Sequence, residues 1–340
     1  MDDIEHLRIQ FTGDLQIHRL LNGMWQVSGA HGPIDRRKAL QAMLAVHNAG
    51  FTTWDLADHY GPAEDFIGEF RRQLKTAQGA AALADVQAFT KWVPRPMPMT
   101  LRIVEEAIGV SLRRMDVESL DLLQFHWWDY GSDQYLAALD FLAQLQQAGK
   151  IKHLALTNFD TEHLQRSLNH GIKIVSNQVQ YSLIDRRPEV RMASLCQERQ
   201  VWLLTYGTLC GGFLSDKYLG QPEPGRRDLN TASLQKYKQM IDAWGGWGLF
   251  QDLLKILKRI ADQHTVSIAN VATRYILDKP KVAGVIIGIR LGLNDHREDN
   301  AGVGGLHLDA QDLAQIENIL VRSNDLYLLI GDCGDEYRSR

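Results

Sequence analysis

Strand-like and helix-like stretches alternate along this chain from about residue 20 onward. Eight stretches have the short, mostly apolar composition of parallel strands that are covered on both faces. They run near Gly23–Val27, Thr52–Asp55, Val86–Lys91, Leu120–His126, His153–Thr157, Val175–Gln180, Val201–Tyr206 and Val285–Gly288. Amphipathic patterns lie between them, such as the stripe of Leu101, Val104, Ile108 and Leu112. This alternation predicts an α/β fold.

Regular spacing favours a closed barrel over an open sheet. Asp55, Lys91, His126 and Thr157 close successive strands at intervals of 36, 35 and 31 residues, each about one strand and one helix long. Eight such units predict a (β/α)8 TIM barrel, and an open doubly wound sheet is the alternative. No Gly-x-Gly-x-x-Gly follows the first strand, which favours the barrel.

The regular spacing breaks after the seventh strand. The stretch of about 209–248 is rich in glycine, proline and charge, and it predicts a long loop that is either a lid over the open face or a surface insertion. A tail of about 325–340 follows, and it either folds back over the same face or is disordered. We expect residues 1–340 to form a single domain.

Composition excludes several classes of function. A net charge of −4 and a pI near 6.3 give no electrostatic reason to bind nucleic acid or an anionic membrane. No apolar run approaches the length of a membrane span, and the first residues lack a signal peptide. The three cysteines are widely spaced without a Cys-x-x-Cys pair, which favours free thiols and a cytoplasmic protein. No metal-ligand spacing is present, so no metal is expected.

Four polar residues at or near three consecutive strand ends form a candidate proton-donating site. They are Asp55, Tyr60, Lys91 and His126. Tyr60 can give a proton to a developing alkoxide, a nearby Lys91 ammonium would lower the pKa of the phenol, and Asp55 would anchor that ammonium. His126 can orient the carbonyl oxygen. Each residue taken alone is as well explained by a turn, by packing or by the surface, but the set points to a carbonyl-reducing enzyme.

The motifs around these residues resemble the aldo-keto reductase superfamily from about residue 15 to about residue 325. They are Asp55-x-Ala57-x-x-Tyr60-Gly61-x-x-Glu64-x-x-Ile67-Gly68, Phe89-Thr-Lys91 and Leu122-Leu-Gln-Phe-His126. The resemblance implies that Tyr60 is the general acid, with Asp55, Lys91 and His126 completing a tetrad. It also implies a nicotinamide dinucleotide that passes hydride from C4 to a substrate carbonyl without a metal.

Cofactor contacts carry over from the same resemblance. Thr157, Asn158 and Gln178 would hold the nicotinamide carboxamide, and Tyr206 would stack on the nicotinamide ring. The loop from Gly207 to Lys217 would wrap the pyrophosphate, with Leu209 and Gly211 in it. Gly288 and Arg290 would contact the ribose and the 2′-phosphate, and Asp299 and Asn300 the adenine. Trp25 would contact both the cofactor and the substrate.

The chain departs from the family pattern in two places. Tyr206-Gly-Thr-Leu-Cys replaces the common Tyr-Ser-Pro-Leu-Gly, and the stretch from Gly288 to Asn300 is about two residues longer than usual, with His296 where glutamine is frequent. Arg290 and Arg297 could both bind a phosphate, which favours NADPH over NADH, with NADH possible. Either arginine could equally be a solvated surface charge.

Tryptophans close several of the predicted strands. Trp25, Trp92 and Trp127 are the candidate walls of an apolar substrate pocket, and core packing is the alternative for each.

The sequence therefore predicts an NADPH-preferring aldo-keto reductase that acts on a small-molecule aldehyde or ketone. One alternative is a cofactor-sensing regulatory or binding subunit with the same fold and little turnover. Another is an aldolase-type barrel in which Lys91 forms a Schiff base.

Overall fold

The computed structural model describes residues 4–29 and 31–338. A hairpin of β1 (Arg8–Thr12) and β2 (Leu15–His18) precedes a closed barrel of eight parallel strands. The barrel strands are β3 (Leu20–Gly23), β4 (Thr53–Asp55), β5 (Gln87–Trp92), β6 (Leu120–Phe125), β7 (Ile151–Thr157), β8 (Ile174–Gln180), β9 (Trp202–Tyr206) and β10 (Val282–Gly288). The predicted (β/α)8 barrel, with a long connection after its seventh strand and a C-terminal tail, is confirmed.

Helices surround the barrel and bury most of the core between themselves and the strands. They are α1 (Arg36–Asn48), α2 (Ala63–Gln78), α3 (Leu101–Met115), α4 (Gln134–Gln147), α5 (Thr161–Asn169), α6 (Met192–Arg199), α7 (Ala232–Trp244), α8 (Gly246–His264), α9 (Ile268–Leu277), α10 (Arg297–Gly305), α11 (Ala310–Leu320) and α12 (Leu326–Ile330). Among the described residues, none of the helices combines the length and the apolar composition that crossing a membrane requires.

The N-terminal hairpin fills the amino-terminal end of the barrel. Phe11 and Ile17 pack with the inward-facing residues Phe89, Leu122 and Leu204, and the rings of Phe11 and Phe89 stack with centroids 6.0 Å apart. The sequence pattern did not predict this hairpin, because the strand and helix alternation starts only after it. Its packing closes one end of the barrel and leaves the carboxyl end for a site.

The first barrel strand ends earlier than predicted. The expected strand over Gly23–Val27 was wrong, since β3 ends at Gly23 and a 3-10 turn spans Trp25–Ser28. The physical reason is the edge of the barrel: Gly23 pairs with Gly288 and with Asp55, which are the last residues of β10 and β4. With no neighbouring strand beyond that edge, the backbone turns.

The connection after the seventh barrel strand is partly helical. The predicted loop of about 209–248 contains α7, and α8 begins before its end. Thr231 caps α7 by accepting a hydrogen bond from the N–H of Leu234, and Tyr237 and Ile241 continue the buried face at helical spacing. Glycine and proline are concentrated before this helix, which is why composition alone suggested a loop throughout.

Side chains alternate between the barrel interior and the helical layer, as the pleat of a strand requires. On β5, Phe89 packs in the interior cluster, and Lys91, two residues later, reaches Asp55 across the carboxyl end. On β6, Leu122 packs in the interior cluster, and Gln124, two residues later, donates a hydrogen bond to Asp55. The period of two thus collects polar side chains at one end of the barrel.

Candidate active site

Asp55 and Lys91 form a buried ion pair at the carboxyl end of the barrel. The Lys91 Nζ atom lies 2.6 Å from Asp55 Oδ2 and also donates to the carbonyl oxygen of Leu56 at 2.9 Å. Both side chains are only 4% exposed. Burial lowers the pKa of Lys91, and the charge and hydrogen bond of Asp55 oppose that effect. A charge pair with so little exposed surface requires an additional partner for each group, and Leu56 provides one for Lys91.

Tyr60 lies beside this pair in the turn after β4. Its ring centroid is 5.1 Å from Lys91 Nζ and 5.0 Å from the ring of Trp25. Burial, followed by the charge of Asp55, raises the pKa of Tyr60 well above its ordinary value. This direction is opposite to the lowering that the sequence reasoning predicted for a phenol beside a lysine. The phenol is therefore protonated at neutral pH, the form in which it can give a proton.

His126 directly follows β6 and is buried, and its backbone N–H donates to the carbonyl oxygen of Trp92, the residue after Lys91, at 3.0 Å. Burial, followed by the charge of Arg338, lowers its pKa to about 3, so the imidazole is neutral at physiological pH. Its Nε2 atom is buried without a hydrogen-bond partner among the described residues. An unpaired buried ring nitrogen is costly unless a ligand satisfies it, which makes Nε2 available to a substrate oxygen.

Two glutamine amides bind the other oxygen of Asp55. Gln124 Nε2 and Gln178 Nε2 lie 2.8 and 2.7 Å from Asp55 Oδ1, and Gln178 Nε2 also donates to Gln124 Oε1 at 2.6 Å. The oxygen of Gln178 accepts no hydrogen bond within residues 4–29 and 31–338. Sequence reasoning missed Gln124, although its position two residues before His126 on an inward-facing strand was an available signal.

Asn158, Thr157 and Tyr206 surround Gln178. Asn158 has a left-handed backbone with φ of 56°, and its N–H donates to the carbonyl oxygen of Gln178 at 2.8 Å. The hydroxyl of Tyr206 donates to Asn158 Oδ1 at 2.8 Å, and the hydroxyl of Thr157 donates to the same Gln178 carbonyl at 3.3 Å. The amide nitrogen of Asn158 donates to no acceptor in the described part of the chain.

The glycine-containing loop after β9 leaves backbone donors unused. The N–H groups of Thr208 and Leu209 bind no protein acceptor within the described residues. Gly207 and Gly211 have positive φ, and a Cβ atom at either position would collide with Tyr237 of α7. Their lack of a side chain is thus already required by the packing of α7. Lys217, at the end of this loop, is exposed and lies over the ring of Tyr218 at 5.0 Å.

The predicted adenosine end is more open than the nicotinamide end. Arg290 is half-buried and donates to the carbonyl oxygen of His31 at 3.0 Å. Arg297 is bound by the Asp295 carboxylate and donates to the carbonyl oxygen of Ala45 at 2.8 Å. Gly288 ends β10, while Asp299 and Asn300 lie in the first turns of α10, where Asp299 is exposed and Asn300 is half-exposed. Arg290 thus has more free donor capacity than Arg297 for a phosphate.

These unpaired atoms fit a nicotinamide dinucleotide. A free amide oxygen on Gln178 and a free amide nitrogen on Asn158 complement a carboxamide, which has one donor and one acceptor group. The free N–H groups at Thr208 and Leu209 suit anionic oxygens. The fit is stronger at the nicotinamide and pyrophosphate ends than at the adenosine end.

The C-terminal tail folds back over the barrel opening as far as residue 338, while the rest of the predicted tail, residues 339–340, lies outside the described residues. Arg187 is buried and binds the carboxylates of Asp185 and Glu336 at 2.8 and 2.9 Å. The hydroxyls of Tyr337 and Tyr206 lie 3.0 Å apart, and Arg338 donates to the Asn158 carbonyl oxygen at 2.6 Å. Sequence reasoning did not select these tail residues, because nothing local places a chain end over a distant strand end.

The tryptophans predicted to line a substrate pocket differ in position. Trp25 is 36% exposed and contacts Tyr60. Trp92 is buried against Phe125, with ring centroids 5.5 Å apart. Trp127 has no exposed surface and belongs to the core, so it cannot form a pocket wall. Trp128, the next residue, is 37% exposed, and its ring centroid lies 4.2 Å from that of His126.

A cavity of about 1120 Å³ lies elsewhere, between α2, α3 and α4 on the outer surface. A second cavity of about 680 Å³ lies at the barrel opening, and Trp128, Tyr130, Tyr337 and Arg338 contribute to its lining. Only the smaller cavity adjoins the polar side chains described above. A site for chemistry is therefore expected at the opening rather than in the larger surface depression.

Comparison with known proteins identifies a matching family model and several related proteins. A model of the aldo/keto reductase family matches residues 19–321. Flagellar radial spoke protein 5 of Chlamydomonas reinhardtii is 32% identical over 258 residues, covering 65% of this chain and 49% of that protein; the chain thus spans about half the length of that relative. NADH-specific methylglyoxal reductase of Escherichia coli is 23% identical, covering 82% of this chain and 87% of that protein.

Solved structures agree with this assignment of the fold. A glycerol dehydrogenase from Gluconobacter oxydans superposes with a TM-score of 0.75 at 22% identity, covering 95% of this chain and 96% of that one. An aldo/keto reductase from Klebsiella pneumoniae in complex with NADP and acetate gives a TM-score of 0.68 at 21% identity, covering 92% and 95%. Since the family model spans nearly the whole barrel, this chain belongs to the aldo/keto reductase family, whose members are oxidoreductases that use nicotinamide cofactors.

Proposed function

We propose that this protein is an NADPH-preferring reductase that converts a small-molecule aldehyde or ketone to an alcohol, with Tyr60 as the general acid. The observation that carries the proposal is the convergence of a protonated phenol, a buried Asp55–Lys91 pair and the unpaired Nε2 of His126 at one end of the barrel. A carbonyl oxygen that gains negative charge needs a proton and hydrogen-bond donors. These groups supply both.

Each residue has a distinct part in this proposal. The Tyr60 hydroxyl gives its proton to the substrate oxygen, and the Lys91 ammonium stabilises the phenolate that remains. The neutral imidazole of His126, with a proton on Nε2, donates a hydrogen bond to the same oxygen and orients the carbonyl. Asp55 holds Lys91 in place. A bound dihydronicotinamide supplies the hydride.

In this proposal, different residues bind the different parts of the cofactor. Asn158 and Gln178 bind the carboxamide, Tyr206 covers the ring, and the loop from Gly207 to Lys217 holds the pyrophosphate. Arg290 is the candidate contact of the 2′-phosphate, because its guanidinium has donors beyond the one that binds His31. Among the relatives, one is named as NADH-specific and another is solved with NADP, so the preference of this chain needs a direct measurement.

A second candidate function is cofactor sensing without turnover. The similarity to a flagellar radial spoke protein favours it, since that name describes a structural assembly. The third possibility, a Schiff base on Lys91, is disfavoured by geometry. Its Nζ is held by Asp55 and by the Leu56 carbonyl, whereas a nucleophilic amine must be free of a carboxylate partner.

The test is consumption of NADPH and of NADH by the purified protein with a panel of aromatic, aliphatic and sugar aldehydes. We expect turnover with at least one class of aldehyde and a higher kcat/KM for NADPH. Cofactor binding without turnover on any member would favour the sensing function. Trapping of a substrate adduct by borohydride in the absence of cofactor would instead identify Schiff-base chemistry.

A further inference from the structure

Gln124 occupies an unusual place for an amide. It is fully buried inside the barrel on β6, and its register partner on β5 is Lys91. Leu122, two residues earlier on the same face, packs in the apolar interior cluster. An apolar residue would fill this position at no desolvation cost, whereas a buried amide is costly unless its hydrogen bonds are made. The amide of Gln124 must therefore be explained by what it binds.

The orientation of the amide follows from its partners. Asp55 Oδ1 can only accept, so the group of Gln124 that lies 2.8 Å away is its NH2. Its oxygen then accepts from Gln178 Nε2 at 2.6 Å. The same Gln178 nitrogen lies 2.7 Å from Asp55 Oδ1. The three side chains close a hydrogen-bonded triangle in which each amide nitrogen donates to at least one acceptor.

This triangle connects the Asp55–Lys91 ion pair to Gln178, the predicted contact of the nicotinamide carboxamide. Asp55 receives two amide donors on Oδ1 and the Lys91 ammonium on Oδ2. The two amide donors fix the orientation of the carboxylate, and that orientation places Oδ2 against the lysine. Because the amide hydrogens of Gln178 are directed to Asp55 and Gln124, its oxygen is the atom left for a ligand amide.

We propose that Gln124 is a positioning residue for the reductase reaction proposed above, on which this inference rests. Its amide keeps the Asp55 carboxylate directed at Lys91, and it sets the orientation in which Gln178 presents an oxygen to the nicotinamide carboxamide. Gln124 contacts neither substrate nor cofactor. It acts through Asp55 on proton transfer and through Gln178 on cofactor binding.

Two substitutions test this role by opposite means. Gln124→Leu keeps the volume and removes the amide, so we expect kcat to fall roughly tenfold and the Kd for NADPH to rise several-fold at every pH, in line with the loss of hydrogen bonds to charged groups. Gln124→Glu keeps the shape. When protonated, the glutamic acid donates its O–H to Asp55 and accepts from Gln178 through its carbonyl oxygen, as glutamine does.

The Gln124→Glu variant should therefore show a pH dependence that the wild type lacks. Burial and the neighbouring Asp55 charge raise the pKa of an introduced carboxyl, while the Lys91 ammonium on β5 opposes them. With the first two effects dominant, the variant is glutamine-like at low pH. As pH rises, it ionises and repels Asp55. We expect its kcat relative to wild type to fall at least fivefold between pH 5.5 and pH 8.5, with a parallel rise in its relative Kd for NADPH.

Gln87→Leu is the matched control. Gln87 is a buried glutamine near the amino end of β5, where its oxygen accepts from Thr52 and Thr53, away from the site. We expect its kcat and Kd to stay within about twofold of wild type even where hydrogen-bond loss reduces stability. Circular dichroism and thermal unfolding identify any variant that does not fold.

The outcomes separate this inference from the proposed function. Wild-type turnover together with wild-type kcat, Kd and pH profile in both Gln124 variants would overturn the positioning role and leave the reductase intact. Wild-type binding of NADPH without turnover would overturn the reductase, and the Kd ratios of the variants would still decide the role of Gln124. Absence of both binding and turnover in the wild type would overturn the two together. If Gln124→Leu does not fold, the pH profile of Gln124→Glu alone decides.

Discussion

One histidine is buried near each end of the barrel, His126 at the carboxyl end and His18 at the amino end, and burial favours the neutral form of each ring. His126 at the carboxyl end has a pKa of about 3, and His18 at the amino end has a pKa of about 4, because burial disfavours their charged forms. His18 has no exposed surface, its Nδ1 atom lies 3.0 Å from the Leu20 carbonyl oxygen, and its Nε2 atom has no partner among the described residues. Protonation of either ring must weaken the folded state.

The first prediction concerns the pH dependence of stability at His18. Its pKa is lower in the folded than in the unfolded protein, so the unfolded chain binds more protons between about pH 4 and pH 6.5, and stability is lost as pH falls through this range. Relative to pH 7.5, we expect His18 to reduce the free energy of unfolding by about 2 kcal/mol at pH 5. Urea unfolding of His18→Gln should show a pH-dependent loss smaller by that amount. An identical loss in the variant and the wild type would refute the assignment.

At the scale of residues, the sequence located the groups that depend on strand ends. Asp55, Lys91 and His126 could be predicted to converge, because the carboxyl ends of parallel barrel strands meet at one face. Gln124 was missed although its spacing from His126 placed it on the same face of the strand, since its hydrogen-bond partners are brought to it only by closure of the barrel. The raised pKa of Tyr60 was also missed, because burial is a property of the folded chain.

Helices α2 and α3 approach each other closely at a glycine. A Cβ atom at Gly68 of α2 would lie 2.1 Å from the carbonyl oxygen of Arg114 of α3, a contact that requires the helices to move. Gly248 of α8 offers the opposite environment. It is exposed, and no atom lies within 4 Å of a Cβ built there.

The second prediction follows from this contrast. Gly68→Ala should lower the free energy of unfolding by about 1–3 kcal/mol, as expected for overpacking. Gly248→Ala should raise it by up to about 1 kcal/mol, because alanine costs less conformational entropy in a helix. Chemical denaturation of both variants measures the difference. Equal effects would show that α2 and α3 are not packed as closely as described.

At the scale of elements, the strand and helix alternation was sufficient to predict the barrel, but the boundaries depended on tertiary contacts. The first strand ends at Gly23 because its neighbours end there. Helix α7 was hidden by the glycine and proline that precede it, although its buried positions have helical spacing. The N-terminal hairpin has no counterpart in the βα repeat, so the repeat could not predict it.

At the scale of the whole molecule, the C-terminal tail packs against residues at the barrel opening that are distant in sequence. Residues 331–338 are fixed by the Arg187 ion pairs and by Arg338, which binds the Asn158 and Trp127 carbonyl oxygens. Gly334 approaches the carbonyl oxygen of Asn158 so closely that a Cβ atom would lie 2.1 Å from it. The tail thus rests on residues that we propose bind nicotinamide. That all of 1–340 forms one domain stays a prediction.

The third prediction concerns this contact. If Asn158 and Tyr206 bind the nicotinamide end of the cofactor, saturation with NADPH should change hydrogen exchange of the backbone amides in 331–338, because their contacts with Asn158 and Tyr206 must adjust. Exchange in α3, which lies outside the cleft, is the internal reference. Unchanged exchange in the tail at saturating NADPH would place the nicotinamide elsewhere.

The most direct test of the account compares the wild type with Tyr60→Phe, measuring NADPH binding by fluorescence titration and carbonyl reduction under saturating cofactor. The hydroxyl of Tyr60 makes no hydrogen bond within the described residues, so its removal should leave the fold and the Kd for NADPH within about twofold, while kcat falls on the order of a hundredfold or more, as expected for loss of a general acid. Retained turnover, or an equal loss of binding and turnover, would contradict the assignment of Tyr60 as the proton donor.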